Sequence, residues 1–201
     1  SAICEKFADK NFILILTSSS DNKISQLKKK YGDKHHYYKI DLSDSENVQN
    51  CLDEISKDHK DISIIVNNAG KTHDNLIFRM KNDQWNAVLQ TNLNSNYQII
   101  KSLLPNMLSN KYGKIIGISS IVGSTGNPGQ ANYVASKSGL VGLYKSIALE
   151  VAKRNINVNI ISPGFISTSM TDKLNDNQKS QILSRIPMQK FGNPKDVANL
   201  V

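Results

Sequence analysis

Cysteine is scarce in this chain: Cys4 and Cys51 are the only two among 201 residues. Two thiols make no disulfide scaffold and read as groups kept in a reducing compartment or buried. Nor can they complete a four-ligand zinc site, and the four histidines show no ligand spacing. No apolar run approaches the length of a bilayer span. The opening segment, SAICEKFADK, is charged and amphipathic, unlike a secretory leader. Internal repeats and low-complexity linkers are lacking too, and the length suits one α/β domain better than two. Acidic residues are in deficit, 17 against 25 Lys and Arg, for a net charge of +8. Such an excess admits nucleic acid, an anionic cofactor or an acidic protein partner. The densest basic run, Lys28-Lys29-Lys30 with Lys34, lacks the interleaved aromatics and the motif of a nucleic-acid binder, and reads as an exposed helix end.

What the chain does have is alternation. Residues 1–9 read as a helix, with Ile3, Phe7 and Ala8 on one face. Residues 12–16, FILIL, are a short continuous apolar run, the pattern of a parallel strand covered on both faces. A helix over 20–31, a strand over 37–40 and a helix over 43–57 follow. Ser43 and Glu46 have the spacing of a capping box for that helix. Strands are expected at 62–66, 115–118 and 158–161, and helices at 83–110, 131–154 and from 194 onward. Asn92 falls inside the 83–110 helix; asparagine is a weak helix former, so its place asks for a reason. Strands alternating with helices imply a parallel sheet with right-handed crossovers, a doubly wound α/β fold. In such sheets ligands lie beyond the carboxyl ends of the strands. The polar and glycine-containing segments sit at those ends: residues 17–20, Asp41-Leu42, 67–70, Ser119-Ser120 and Pro163-Gly164.

The densest chemistry lies between Ile118 and Lys137, ISSIVGSTGNPGQANYVASK. Tyr133 and Lys137 are four residues apart, so on a helix they share one face. An ammonium close to a phenol favours phenolate, which is expected to ease proton transfer near neutral pH. A serine at the preceding strand end is placed to donate a hydrogen bond to the same substrate oxygen. A Y-x-x-x-K pair alone is more often a solvated helix face. The order strand, serine, glycine-rich loop, tyrosine, lysine is what raises this one.

Taken together, Asn67-Asn68-Ala69-Gly70, Asn92, Ser120, Tyr133-Val134-Ala135-Ser136-Lys137 and Pro163-Gly164 resemble the motifs of the short-chain dehydrogenase/reductase family, along essentially the whole chain. The segments NNAGKTHDNLIFRMKNDQW, NKYGKIIGISSIVGSTGNPGQANY and PGFISTSMTDKL look most like its β-ketoacyl-acyl-carrier-protein reductases. The resemblance implies a Rossmann-type domain that reduces a 3-oxoacyl thioester to the 3-hydroxyacyl thioester, the alternative being a short-chain dehydrogenase acting on another carbonyl or alcohol such as acetoacetyl-CoA. Tyr133 would protonate the nascent alkoxide, Lys137 would lower the Tyr133 pKa and hold the nicotinamide ribose, and Ser120 would bond the substrate carbonyl. Asn92 would anchor a water linking Lys137 to solvent, at a distortion in its helix. Asp41 would receive the adenine amino group with Leu42 beside it, and Asn68, Ala69 and Gly70 would pack against the adenosine ribose. Pro163, Gly164 and Ile166 would frame the nicotinamide, with Thr168 on its amide or the phosphates. NADPH is expected over NADH, because Thr17-Ser18-Ser19-Ser20 stand where NAD readers usually place a carboxylate.

The resemblance also implies partners. Acyl carrier protein is acidic, and Lys111 and Arg154 match basic residues expected to flank the active-site entrance. Homo-oligomers, usually tetramers, are expected through the Asn92 and Tyr133 helices. Residues 170–187 would cover the substrate. Against the family pattern, the chain reads as a domain truncated at both ends, lacking the first strand, the Gly-rich turn and the last strand. A targeting peptide would precede Ser1, which leaves bacterial-type cytoplasm and an organelle both open. Lys71 and His73 depart from the usual residues after Gly70, Lys71 either near a phosphate or exposed.

Overall fold

The computed structural model describes residues 1–167 and 175–201 and divides into two compact units, Ile15–Ser162 and Ser1–Leu14 with Pro163–Val201. The larger unit is built on five parallel strands. β1 (Ile15–Ser18) pairs with β2 (His36–Lys39), with Ile15 opposite His36. β4 (Gly113–Ile118) lies between β3 (Ile64–Asn67) and β5 (Ile156–Ile161), with Ile64 opposite Lys114 and Gly113 opposite Ile156. Each successive pair of strands is joined through helix: α2 (Asp21–Tyr31), then α3 (Ser45–Asp58), then α4 (Asn82–Leu89) running into α5 (Ser95–Asn110), then α6 (Val122–Thr125) and α7 (Ala131–Val151). This is the doubly wound α/β pattern expected from the alternation, with every strand pairing parallel, but the strands form two sheets, of two and three strands, instead of the single sheet expected.

The core is one cluster. Val48, Leu52 and Ile55 of α3, Ile100, Leu103 and Met107 of α5, and Leu140, Tyr144, Ile147 and Val151 of α7 close on Ile65, Ile115 and Ile156 of the strands. On α7 the buried positions 132, 136, 140, 144, 147 and 151 recur at helical spacing, so one stripe faces inward. The stripe is polar at its start, with Asn132, Ser136 and the adjacent Lys137, and apolar from Leu140 onward. The same helix therefore builds the site with its first two turns and the core with the rest.

Two local expectations are corrected and a third, the helix distortion at Asn92, is met. Phe12 does not open the first strand. Its amide donates to the Phe7 carbonyl at 3.1 Å and its ring meets the Phe7 ring edge-on at 5.1 Å, so it closes a helix end. The cap of α3 is Asp44, which accepts from the amides of Glu46 and Asn47 at 3.0 and 3.1 Å. Ser43 is drawn off, its hydroxyl donating to Asp41 Oδ1 at 2.6 Å. The long helix over 83–110 is interrupted by a π turn at Gln90–Asn94, where Asn92 sits. A π turn leaves carbonyls without their usual amide partners. Here the Ser95 hydroxyl donates to Thr91 O at 2.7 Å and Asn96 Nδ2 to Asn92 O at 2.9 Å.

The smaller unit holds α1 (Ala2–Asp9), capped by the Ser1 hydroxyl, together with α8 (Asp176–Leu183) and α9 (Pro194–Leu200). Asn193 and Asp196 form a capping box ahead of α9, with Pro194 at its first position, where a missing N–H costs nothing. Lys6 of α1 donates to Asn199 of α9. Cys4 and Cys51 are both free. Among the described residues no helix is long and apolar enough to cross a membrane, and no three His, Cys, Asp or Glu gather as a metal group.

Gly117 is where sheet and helix approach most closely: a Cβ there would stand 2.5 Å from Tyr144 Cζ, inside a buried and hydrogen-bonded ring. Gly142, on the same helix as Tyr144, has nothing within 4 Å of its missing Cβ. Gly117→Ala should therefore lower the unfolding free energy by about 1–3 kcal/mol. Gly142→Ala should raise it by about 0.5–1 kcal/mol through helix propensity. Denaturant unfolding of the two variants checks both signs.

Candidate active site

The site collects at the carboxyl ends of β3 and β4 and the first turns of α7. β4 ends at Ile118, and Ser119 is fixed at once: its amide donates to Ile161 O at 2.7 Å and its buried hydroxyl to Lys137 O at 2.8 Å. Strand end and helix are thus tied at the level of Lys137. Ser120 follows, and its hydroxyl pulls the pKa of the Tyr133 phenol down. In the first turn of α7, Asn132 is fully buried and its Oδ1 accepts from the Tyr133 amide at 2.7 Å. Its Nδ2 reaches His73 O at 3.0 Å and Gln84 O at 3.3 Å, binding the segment after Gly70 to α7. The glycine-rich loop is tied to the same segment, with Asn75 N donating to Gly129 O at 2.8 Å and Gln130 Nε2 to Asp74 Oδ2 at 2.9 Å.

Lys137 is only 3 % exposed. Its ammonium donates to Ile118 O at 2.8 Å and lies 5.6 Å from the centre of the Tyr133 ring. Burial disfavours the ammonium and brings its pKa down to about 8. The expected lowering of the Tyr133 pKa is not what the structure gives. Burial pushes the phenol up, the Ser120 hydrogen bond works against that, and the Asp74 charge adds to the rise. Lys137 lies over the ring and bonds the Ile118 carbonyl, and in the resting protein burial outweighs its charge at the phenol.

Asn92 is fully buried. Its Oδ1 accepts from Lys71 N and its Nδ2 donates to Lys71 O, both at 2.9 Å, with a second donation to Ser136 Oγ at 3.1 Å. The side chain is therefore a clamp on the backbone just after Gly70. Both of its N–H donors are in use, which leaves a water-anchoring role to the remaining lone pair of Oδ1. A Cβ on Gly70 would stand 3.4 Å from Lys137 Nζ and 3.5 Å from Asn92 Oδ1, so the absent side chain keeps the ammonium approachable.

Asn68, Ala69 and Gly70 leave β3 exposed. Asp41, at the end of β2, accepts at Oδ1 from the Ser43 amide and hydroxyl, which with the Lys71 charge hold its carboxyl below the usual range. Its other oxygen is not among those bonds. Leu42 beside it packs on the core. Lys71 is half-buried and faces the Asp41 charge. Pro163, Gly164 and Ile166 belong to the smaller unit, where Ile166 bridges Gly192. Thr168 and part of the 170–187 segment lie outside the described residues.

Lys111 and Arg154 are corrected in place. Lys111 ends α5 just before β4, and Arg154 stands in the turn after α7, just before β5. Asn155 Nδ2 donates to Lys111 O at 3.2 Å, so the two cations share a surface. That surface lies at the amino ends of the strands, opposite Ser120, and does not flank this chain's own site.

Sequence reasoning placed Ser120, Tyr133, Lys137, Asn92 and Gly70 where they meet. It missed Ser119, Asn132 and Tyr144 as supports of the site. Two polar residues opening a helix next to Tyr133 were the signal available for Asn132.

The short chain dehydrogenase family model matches residues 1–179. The chain is 46% identical over 200 residues to a 3-oxoacyl-[acyl-carrier-protein] reductase of Haemophilus influenzae, covering all of this chain and 83% of that protein. It is 40% identical over 200 residues to the protein of that name from Escherichia coli, covering 82% of it. Against the one from Rickettsia bellii it is 44% identical over 188 residues, which is 94% of this chain and 76% of that protein. On sequence and architecture alike, this chain belongs to the short-chain dehydrogenase family.

Proposed function

We propose that the chain reduces the 3-oxo group of an acyl thioester on acyl carrier protein to the 3-hydroxyacyl thioester, with NADPH as reductant, in fatty-acid synthesis. The observation that carries the reading is the Lys137 ammonium. It is buried, yet among the described residues only Ile118 O accepts from its three N–H donors. Buried donors without acceptors are costly, and they mark a place where a ligand supplies the oxygens. Gly70 leaves that ammonium approachable, so the hydroxyls of a nicotinamide ribose fit it.

The other cofactor residues fit as well. The exposed Asn68, Ala69 and Gly70 offer a surface to the adenosine ribose, and Asp41 keeps an oxygen for the adenine amino group. Residues 17–20 carry no carboxylate, and Ser20 caps α2. The first acid after β1, Asp21, is paired with Lys39 at 2.6 Å. No free negative charge at the end of β1 thus opposes a 2′-phosphate.

When bound, NADPH supplies a hydride to the ketone carbon. Ser120 donates its hydroxyl hydrogen bond to the ketone oxygen, and Tyr133 passes its phenolic proton to that oxygen as it becomes the alcohol. The resting protonation states suit this direction. The raised Tyr133 pKa means the acid still holds its proton at neutral pH, and Lys137 keeps its charge below about 8. Once the proton has left, the nearby ammonium stabilises the phenolate.

The carrier and the oligomer belong to one reading. A cation pair at the amino end of the sheet cannot guide a carrier to its own Tyr133. In a homo-oligomer, a tetramer by family habit, Lys111 and Arg154 serve the entrance of a neighbouring copy.

Three outcomes follow. Tyr133→Phe should lower kcat for acetoacetyl-carrier reduction by about 10²–10⁴-fold, followed as NADPH consumption, and an undiminished rate would remove the mechanism. In the unmodified enzyme, kcat/KM for NADPH reports free-enzyme groups, so it should fall as pH rises through about 8, where Lys137 loses its proton. Charge reversal at both Lys111 and Arg154 should raise KM for the carrier-bound substrate while sparing a small thioester; equal effects on the two substrates would remove the docking role.

A further inference from the structure

We propose that Tyr144, two turns beyond Lys137 on α7, is a positioning residue for the cofactor-binding segment between Asn67 and Lys71. The inference rests on the cofactor reading above and adds to it a residue that touches neither substrate nor cofactor.

Tyr144 is 1 % exposed, and its ring lies against Gly117 of β4. Its hydroxyl is engaged on both sides. Asn67 Nδ2 donates to it at 2.8 Å, and it donates to Asn96 Oδ1 at 2.9 Å. Asn96 Nδ2 then donates to the Asn92 carbonyl at 2.9 Å. All four residues are buried, and every bond runs in the same donor-to-acceptor sense. Such chains polarise one another, and a break in one leaves its neighbours unpaired in a low-dielectric interior.

The two ends of this relay are what give it a function. Asn67 is the last residue of β3 and opens the exposed segment Asn68-Ala69-Gly70. Asn92, at the other end, clamps both backbone groups of Lys71, which closes that segment. Tyr144 therefore couples the start of the segment to its end through the π turn. The segment has no secondary structure of its own, so its two anchors decide where Gly70 stands relative to Lys137. A core phenylalanine would fill the same space against Gly117. The hydroxyl is needed only for the relay.

In the intact chain, Tyr144→Phe should weaken NADPH binding about tenfold, the scale expected for one lost buried network hydrogen bond. Binding is read directly as Kd by nicotinamide fluorescence, without turnover, while kcat at saturating NADPH changes less than about twofold. Asn96→Ala should raise Kd similarly, and the double variant should be no worse than the weaker single, since both break one network. Ile147→Val serves as the control: it loosens the same helix and core but touches no relay atom. If Ile147→Val, at a matching loss in Tm, weakens Kd as much as Tyr144→Phe does, the role is merely structural and the proposal is overturned. An unchanged Kd in Tyr144→Phe, with the unmodified chain binding normally, overturns it equally. Should Tyr144→Phe not fold, Asn96→Ala carries the test on the same terms. Failure of the unmodified chain to bind NADPH would overturn the cofactor reading itself and this inference with it.

Discussion

The buried ammonium of Lys137 is the constraint on which the rest of the site depends. A charge taken out of water needs partners, and among the described residues this one has the Ile118 carbonyl and the face of Tyr133 but no carboxylate. The depressed pKa, about 8, is the measure of that deficit. A carboxylate partner would have cured it and also consumed the donors. The chain instead holds the lysine where a ligand can approach, and the surrounding elements are arranged to make such a placement tolerable. Core packing of α7 below it, from Leu140 to Val151, supplies the apolar stability that the upper turns forgo.

Rigidity around that charge comes from asparagine and serine. Asn92, Asn96, Asn132, Ser119 and Ser136 are all buried, and each closes on a backbone group. Short polar side chains suit this task because they reach the nearest main-chain group with little rotamer freedom to lose. The π turn at Gln90–Asn94 is the price of aiming Asn92 at Lys71, and Ser95 and Asn96 restore the bonds it breaks.

Much of this was legible in the sequence, for physical reasons that also mark the limit. Strand–helix alternation and the four-residue spacing of Tyr133 and Lys137 are local, and local periodicity survives into structure. Asn92 in mid-helix was a local anomaly, and it duly marked the helix distortion. Strand starts were less legible: Phe12 is as apolar as Ile15, and its amide bond and ring contact to Phe7 remove it from the strand. Ser43 and Asp44 compete for one cap, and the contest is decided by Asp41, which no capping pattern includes. The Asn67–Tyr144 bond joins residues 77 apart, so neither reads as special alone. The direction of the Tyr133 pKa was missed because spacing gives proximity, whereas burial gives the dielectric, and here burial dominates.

On the proposed mechanism, the protonation states of Tyr133 and Lys137 suit reduction better than a pre-formed phenolate would. A reductase needs an acid that still has its proton when the ketone arrives. Burial secures that at Tyr133, with Ser120 restraining how far the pKa climbs. Lys137 would then matter most after proton transfer, when a buried phenolate would otherwise stand without a counter-charge. The same low dielectric that makes the lone ammonium costly in the free protein makes its attraction for the phenolate strong.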